Sequence, residues 1–401
     1  MRLLFVLGAY FPKASANGVC VSRVQEALKN LGVFSDIVAE GTAEKVTDSQ
    51  YGKVYTTVLT DIERLSRFQR IMAALRYPVY FPSNIKSYRH MIDTALSENS
   101  YDAIVAVLRP LDGALAAMSY SNLLIYELDS IANNDENEHG FRKYLRHRVL
   151  LAERVLYRKA SYIFHMQSHK AFYRQKHYDC FSDKSTYLDI PQLIDEKISD
   201  RSSDDTDLIK VLYSGILNTR TRSPEYPVSL IKELNQQGIA NVELNFYSRG
   251  DCEEMLEKEQ QKTNGSIRKH GYVSLNELNL AVAETDCLLS IGNCSTGKVT
   301  SLPSKVISYM AYGKPIIHID GGANDVAKDY LDKYPLAIVI DPKARMENNL
   351  LALHTFLQNN LGKRVPFDDV ARIFVRNTPE YTAEQIIKAV SEHCCSSVTK
   401  R

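Results

Sequence analysis

Basic residues in the second half of the chain are of the types that can hold an anion. Lys305 falls in the first turn of a short helical pattern, Ser304-Lys-Val-Ile-Ser-Tyr-Met-Ala-Tyr-Gly313, in which Val306, Tyr309 and Met310 share one face at i, i+3, i+4 spacing. Ser304 is a candidate cap, Gly313 is expected to take the left-handed conformation that ends the helix, and Pro315 prevents its continuation. A helix N-terminus offers unpaired N–H groups and a partial positive charge, so a flexible ammonium placed there suits a diphosphate. Arg220 and Arg222 follow Gly215 at the end of an apolar run, Lys210-Val-Leu-Tyr-Ser-Gly215. Their guanidinium forks match phosphate oxygens bidentately.

Positioning these residues requires strands ending near the start of a helix, and the sequence supplies such elements throughout. Leu3–Leu7 reads as a buried strand, Val21–Gly32 as a helix ending in glycine, and Phe34–Ala39 as the next strand. Apolar runs at Ala103–Val107, Leu123–Tyr126 and Ala160–His165 continue the alternation, which implies a parallel, doubly wound sheet. After the polar stretch Asp200-Arg-Ser-Ser-Asp-Asp-Thr-Asp207 the alternation restarts at Ile209 and runs through strands at Glu243–Tyr247, Cys287–Ile291 and Ala337–Ile340. The expected organisation is an N-terminal Rossmann-like domain over 1–200, a linker over 201–208, a second Rossmann-like domain over 209–380 and a terminal helical segment over 381–401.

Composition narrows the function classes. The 401 residues are 44% hydrophobic and 24% charged, which fits two globular domains. A formal net charge of +1, with no surplus in either half, gives no global field for nucleic acid. Seven cysteines never occur at Cys-x-x-Cys spacing, so the sequence suggests neither a disulfide framework nor a zinc site and points to the cytoplasm. No apolar stretch approaches the roughly 20 residues that span a bilayer. The first loop, Gly8-Ala-Tyr-Phe-Pro-Lys-Ala-Ser-Ala-Asn-Gly18, lacks both the Gly-x-Gly-x-x-Gly of dinucleotide binders and the Gly-Lys-Ser/Thr of a P-loop. Asp205-x-Asp207 has metal-binding spacing but lies in the polar linker, and the pairs His139/His147 and His165/His169 have no acidic cluster in sequence to support a metal.

The segment from Ser301 to Asp320, with its Pro-Ser-Lys start and Ala-Tyr-Gly-Lys-Pro end, resembles the donor-binding helix of glycosyltransferases with the GT-B fold, particularly the family 4 branch. The resemblance is most specific over residues 209–320 and topological over 1–200. It implies two Rossmann-like domains facing a central cleft and transfer of a sugar from a nucleotide diphosphate donor to a saccharide or lipid-linked acceptor. The setting would be surface-polysaccharide assembly, with retention and without metal or other cofactor. Arg222, Arg220 and Lys305 would then stabilise the departing diphosphate, and domain closure would exclude water. Gly18 would approach the donor phosphates and Gly215 would form the turn before the basic residue. Tyr272 and Val273 would lie near the base, and Ser304 would sit at the phosphate-binding helix start.

Relatives carry two glutamates with seven residues between them, whose positions here are Thr300 and Ser308. Ser308 can still hydrogen-bond a ribose, while Asn293, Ser295, Thr296 or Thr300 can hold sugar hydroxyls. Loss of the pair leaves open a non-catalytic scaffold or partner subunit of another glycosyltransferase. An epimerase acting on the sugar nucleotide is the other alternative. Asp129, after the strand ending at Tyr126, resembles the position of the acceptor base, with Arg109 and Asp112 as alternatives. A basic stripe completes the reading. Residues 142–176 contain ten Lys and Arg against Glu153, and residues 62–91 six against Glu63, both interleaved with apolar and aromatic side chains. Such segments suit peripheral contact with an anionic membrane, here the inner face of the cell membrane.

Overall fold

The computed structural model describes residues 1–10, 15–60, 65–76, 82–128, 139–173, 179–196, 207–294, 302–394 and 396–400. The chain divides into two compact units, one formed by Met1–Gln192 with Arg376–Arg401 and the other by Leu193–Val375. Most of the expected linker, residues 201–206, lies outside the described residues.

The first unit runs β1 (Arg2–Ala9), α1 (Ala16–Asn30), β2 (Phe34–Glu40), β3 (Lys45–Asp48), β4 (Lys53–Thr57), α2 (Arg67–Leu75), α3 (Pro82–Glu98), β5 (Ala103–Val107), α4 (Leu111–Ala117), β6 (Leu123–Tyr126), α5 (Gly140–Lys159), β7 (Tyr162–Met166), α6 (Lys170–Tyr173) and β8 (Ser185–Leu188). Its strands form one eight-stranded sheet in the order β3-β4-β2-β1-β5-β6-β7-β8, parallel except for β3. β1 and β5 are apolar along nearly their whole length because helices cover both faces of a parallel sheet. The β3–β4 hairpin is the element that apolar patterning does not announce: all four residues of β3 are exposed, so no face alternates.

α1 begins earlier than its apolar periodicity suggests. The Ser15 hydroxyl caps it by accepting from the Gly18 N–H at 3.1 Å, so Gly18 belongs to the first helical turn rather than to the loop. The end of the chain completes this unit. α14 (Pro379–His393), capped by Thr378, packs against α1, and beyond it the Val398 N–H donates to the Tyr101 carbonyl while the Ser121 N–H donates to that of Thr399.

The second unit runs β9 (Leu208–Leu217), α7 (Glu225–Gln236), β10 (Asn241–Gly250), α8 (Glu253–Lys262), β11 (Ile267–Lys269), α9 (Leu275–Ala283), β12 (Cys287–Ile291), α10 (Ser304–Ala311), β13 (Ile316–Ile319), α11 (Ala327–Leu331), β14 (Ala337–Ile340), α12 (Met346–Asn360) and α13 (Phe367–Ile373). All six strands are parallel in the order β11-β10-β9-β12-β13-β14. The order reverses direction between β9 and β12, which makes their carboxyl ends the topological switch point of the sheet.

At the carboxyl ends of β6 and β7 lies a buried polar cluster that sequence spacing did not reveal. His165 and His169 do have an acidic partner, Glu127, which is fully buried. Its carboxylate meets His165 Nδ1 at 3.1 Å and His169 Nδ1 at 2.5 Å and accepts from the Tyr173 hydroxyl. Glu127 lies 38 residues before His165, so spacing alone could not join it to the histidines. Among the described residues no group of side chains could hold a metal ion. Burial alone would raise the Glu127 carboxyl, but the hydrogen bonds from His165 and His169 outweigh it and hold the group down at about 2.

A carboxylate whose folded value is depressed contributes stability that is complete above its unfolded value near 4.5 and is lost as pH falls toward 2. Glu127→Ala is therefore expected to lower unfolding free energy near neutral pH by roughly 3 kcal/mol, since it leaves buried polar partners unmatched. Denaturant titrations should also show that Glu127→Gln loses less stability than the parent between pH values of about 5 and about 3.

Candidate anion site at the carboxyl edge of the second unit

The site is built around a split in the sheet. β12 pairs with β9 only at Cys287 with Val211 and Leu288 with Leu212, after which β9 continues to Leu217 and β12 to Ile291 without further pairing. The split frees the backbone groups of Ser214, and two side chains of α10 take them. The Ser214 N–H donates to the Tyr309 hydroxyl at 2.8 Å, and the Lys305 ammonium donates to the Ser214 carbonyl. Tyr309 also meets the Ser214 hydroxyl at 3.1 Å. α10 thus closes the split with its first and second turns, which brings its N-terminus to the switch point.

Gly215 makes this approach possible. A Cβ at that position would lie 1.6 Å from Lys305 Nζ, and the residue has φ +141°, a conformation that L side chains rarely adopt. At the neighbouring strand end, a Cβ on Gly292 would lie 2.4 Å from the Gly321 N–H nitrogen and 2.0 Å from the Asp325 carboxylate. That carboxylate is in turn held by His318 Nε2 at 2.8 Å and the Gly321 N–H at 2.8 Å.

α10 does not start as the sequence suggested. Pro303 occupies the N-cap and no side chain caps the helix, while Ser304 is already helical and its carbonyl accepts from the Ser308 hydroxyl at 3.4 Å. Pro303 is fixed at φ −63° with an extended ψ of 116°, so the turn begins one residue earlier than a Ser304 cap would place it. First-turn amides without a side-chain cap are the groups an anion would use. At the other end Gly313 takes φ +68°, as a left-handed C′ residue should.

Three cations converge here. Burial, followed by the charges of Arg222 and Arg249, pushes the Lys305 ammonium down to about 7. Arg222 sits in a turn closed by its own N–H donating to the Asn218 carbonyl at 2.8 Å. That turn is anchored on Asp251, which accepts from the Thr219 N–H at 2.8 Å and the Asn218 amide at 3.1 Å, and on the Cys294 N–H, which donates to the Thr221 carbonyl at 2.9 Å. Arg220 lies in the same turn with an exposed side chain, its N–H donating to the Asn218 side chain at 3.0 Å. Of the two arginines, Arg222 is the one whose charge bears on Lys305.

Arg249, at the end of β10, is the residue that sequence reasoning missed. Its guanidinium lies 4.9 Å from the centroid of the Tyr272 ring, so it links the cation cluster to the exposed ring of the β11–α9 turn. The available signal was its place just before Gly250 at the carboxyl end of a strand beside β9. Val273, next to Tyr272, is half-buried, and so is Asn293, which follows β12 and Gly292. Ser295, Thr296 and Thr300 lie outside the described residues.

In the first unit the candidates fall out differently. Asp129 lies outside the described residues. Gly18 packs its α-carbon against the end of β1, where a Cβ would lie 2.7 Å from the Ala9 carbonyl oxygen. Arg109 is paired with the buried Glu153, and Asp112, in the first turn of α4, accepts from the Asn84 amide at 3.3 Å while burial raises its carboxyl above the usual range.

No family model matches the sequence, and no curated protein matches it. Solved structures do resemble it. The chain is similar to a lipopolysaccharide outer core galactosyltransferase, WaaB, with a TM-score of 0.57 at 14% identity over 98% of this chain and 99% of that one. It is similar to WaaG, a glycosyltransferase involved in lipopolysaccharide biosynthesis, with a TM-score of 0.56 at 14% identity over 98% and 100% of the two chains. A glycosyltransferase from Rickettsia africae gives a TM-score of 0.62 at 12% identity over 98% and 99%. Likeness at such low identity fixes architecture alone, and by that measure the chain has the GT-B glycosyltransferase fold.

Proposed function

We propose that this protein is a metal-independent glycosyltransferase that moves a sugar from a nucleotide diphosphate donor to a saccharide or lipid-linked acceptor in surface-polysaccharide assembly. The observation that carries the reading is the convergence of Lys305, Arg222 and Arg249 on the uncapped start of α10 at the switch point of the second unit. Mutually repelling cations with a helix N-terminus between them are stabilised by a dianion, and a departing nucleoside diphosphate supplies one. Tyr272 and Val273 stand on the turn where the base would lie, with Arg249 spanning base and phosphates. Ser308, one turn into α10, is the group for the ribose. The fold neighbours named for lipopolysaccharide transfer support the choice of pathway class.

The family resemblance supports retention, which proton NMR of the product anomer would read. Ser308 and Thr300 in place of the family's glutamates favour a second reading, a non-catalytic scaffold. That reading predicts nucleotide binding with neither transfer nor donor hydrolysis.

The proposed setting is the inner face of the cell membrane. In the first unit α2 exposes Phe68, Ile71, Met72 and Leu75 at i, i+3, i+4, i+7 spacing beside Arg67 and Arg70. α5 exposes Phe141, Tyr144, Leu151 and Val155, and its Arg148 donates to the Leu75 carbonyl at 2.6 Å. Each cation near an anionic bilayer contributes about 1 kcal/mol, so this surface matches acidic lipid by charge as well as by apolar contact. Among the described residues no helix is long and apolar enough to cross a membrane.

Thermal-shift titration with UDP, GDP, CDP, ADP and dTDP in the presence of a chelator should show selective stabilisation by one of them. Lys305→Ala and Arg222→Ala should each weaken it roughly ten- to a hundredfold, the range of a charge-assisted hydrogen bond. Stabilisation by none, or stabilisation indifferent to both substitutions, contradicts the donor site. Because Lys305 is held near 7 until an anion restores its charge, calorimetry in buffers of different ionisation enthalpy should register uptake approaching one proton at a pH of about 8 and little at about 6. Vesicle flotation should show binding to phosphatidylglycerol-containing membranes but not to pure phosphatidylcholine. A Phe68→Ser, Leu75→Ser double substitution should reduce it, and equal binding to both vesicles would refute the docking surface.

A further inference from the structure

Asp325 has a buried carboxylate that the proposed donor chemistry does not touch, yet its partners lead back to the cation site. One carboxylate oxygen accepts from His318 Nε2 and from the Gly321 N–H, each at 2.8 Å, and the other accepts from the Ala327 N–H at 3.1 Å. His318 is fully buried on β13 and its Nδ1 has no hydrogen-bond partner, so Nε2 is the atom through which this ring acts on its surroundings. Burial alone would raise the Asp325 carboxyl, but the hydrogen bonds from His318, Gly321 and Ala327 hold it below the usual carboxylate range.

The carboxylate fixes where two strand ends meet. Gly292, after β12, and Gly321, after β13, touch backbone to backbone, and a Cβ on Gly321 would lie 2.6 Å from the Asn293 nitrogen. Lys328 closes the same turn from its other side, donating to the Asp320 carboxylate and to the Gly322 carbonyl, each at 2.9 Å. Just beyond Gly292 the Cys294 N–H donates to the Thr221 carbonyl at 2.9 Å, next to Arg222. The path from Asp325 to the Arg222 turn therefore runs through Gly321, Gly292 and Cys294, backbone against backbone, with no flexible side chain to absorb a shift. We propose that Asp325, oriented by His318, is a positioning residue that sets where Arg222 stands. Its effect on anion binding rests on the donor-site reading above, whereas its hold on the Arg222 turn does not.

Amide hydrogen exchange on the full chain tests that hold directly, with Asp325→Asn as a variant of the same shape that keeps one acceptor oxygen. The Cys294 and Arg222 amides should exchange faster in this variant, while those of the β9–β10 ladder keep the parent rates. His318→Leu should reproduce the effect, and His318→Gln, whose side-chain nitrogen can take the place of Nε2, should stay near the parent. Calorimetry with inorganic pyrophosphate reads the consequence. Asp325→Asn should weaken binding roughly two- to thirtyfold, the range of residues that act at one remove from a site. In an Arg222→Ala background it should weaken binding no further. Parent exchange rates at Cys294 and Arg222 overturn the proposal, as does faster exchange throughout the second unit, which would make the pair a structural support only. A loss of affinity that adds in full to that of Arg222→Ala overturns it too. If the parent chain binds no pyrophosphate, the donor reading falls and the exchange pattern alone decides the positioning role.

Discussion

A parallel sheet that splits must satisfy the backbone groups it frees, and the second unit depends on how it meets that requirement. Past Leu212 and Leu288, β9 and β12 no longer pair, so the Ser214 amide and carbonyl need other partners. Tyr309 and Lys305 supply them from a single helix. The same contacts that complete the sheet therefore place an ammonium at a helix N-terminus. The lysine of the proposed donor site is thus also a structural partner of the sheet, and Gly215 leaves the space for it. Binding an anion would exchange one Lys305 partner, a neutral carbonyl, for a charged one, and the neighbouring arginines favour that exchange.

Much of this was legible in the sequence because parallel strands buried on both faces leave continuous apolar runs. β5, β6, β12 and β14 match those runs residue for residue, and the α10 pattern with its glycine stop marks the helix that matters most. The β3–β4 hairpin was not legible, since an edge strand with every side chain exposed has no periodicity to detect. Glu127 was missed because its partners come from other elements across the sheet. Arg249 was missed because it becomes relevant only when β10 is known to lie beside β9. The reading of Ser304 as a cap failed on a one-residue shift imposed by Pro303. Helix starts are decided by backbone geometry that composition only suggests.

α14 follows every residue of the second unit in the chain yet packs against α1 in the first. During synthesis the second unit emerges whole and can close while the first still lacks this helix and the tail residues that bond Tyr101 and Ser121. The apolar side of α1 stays uncovered for all that time. The nascent chain thus holds an early-formed surface open for a segment translated much later, and chaperone demand on the ribosome should concentrate on the first unit rather than the second.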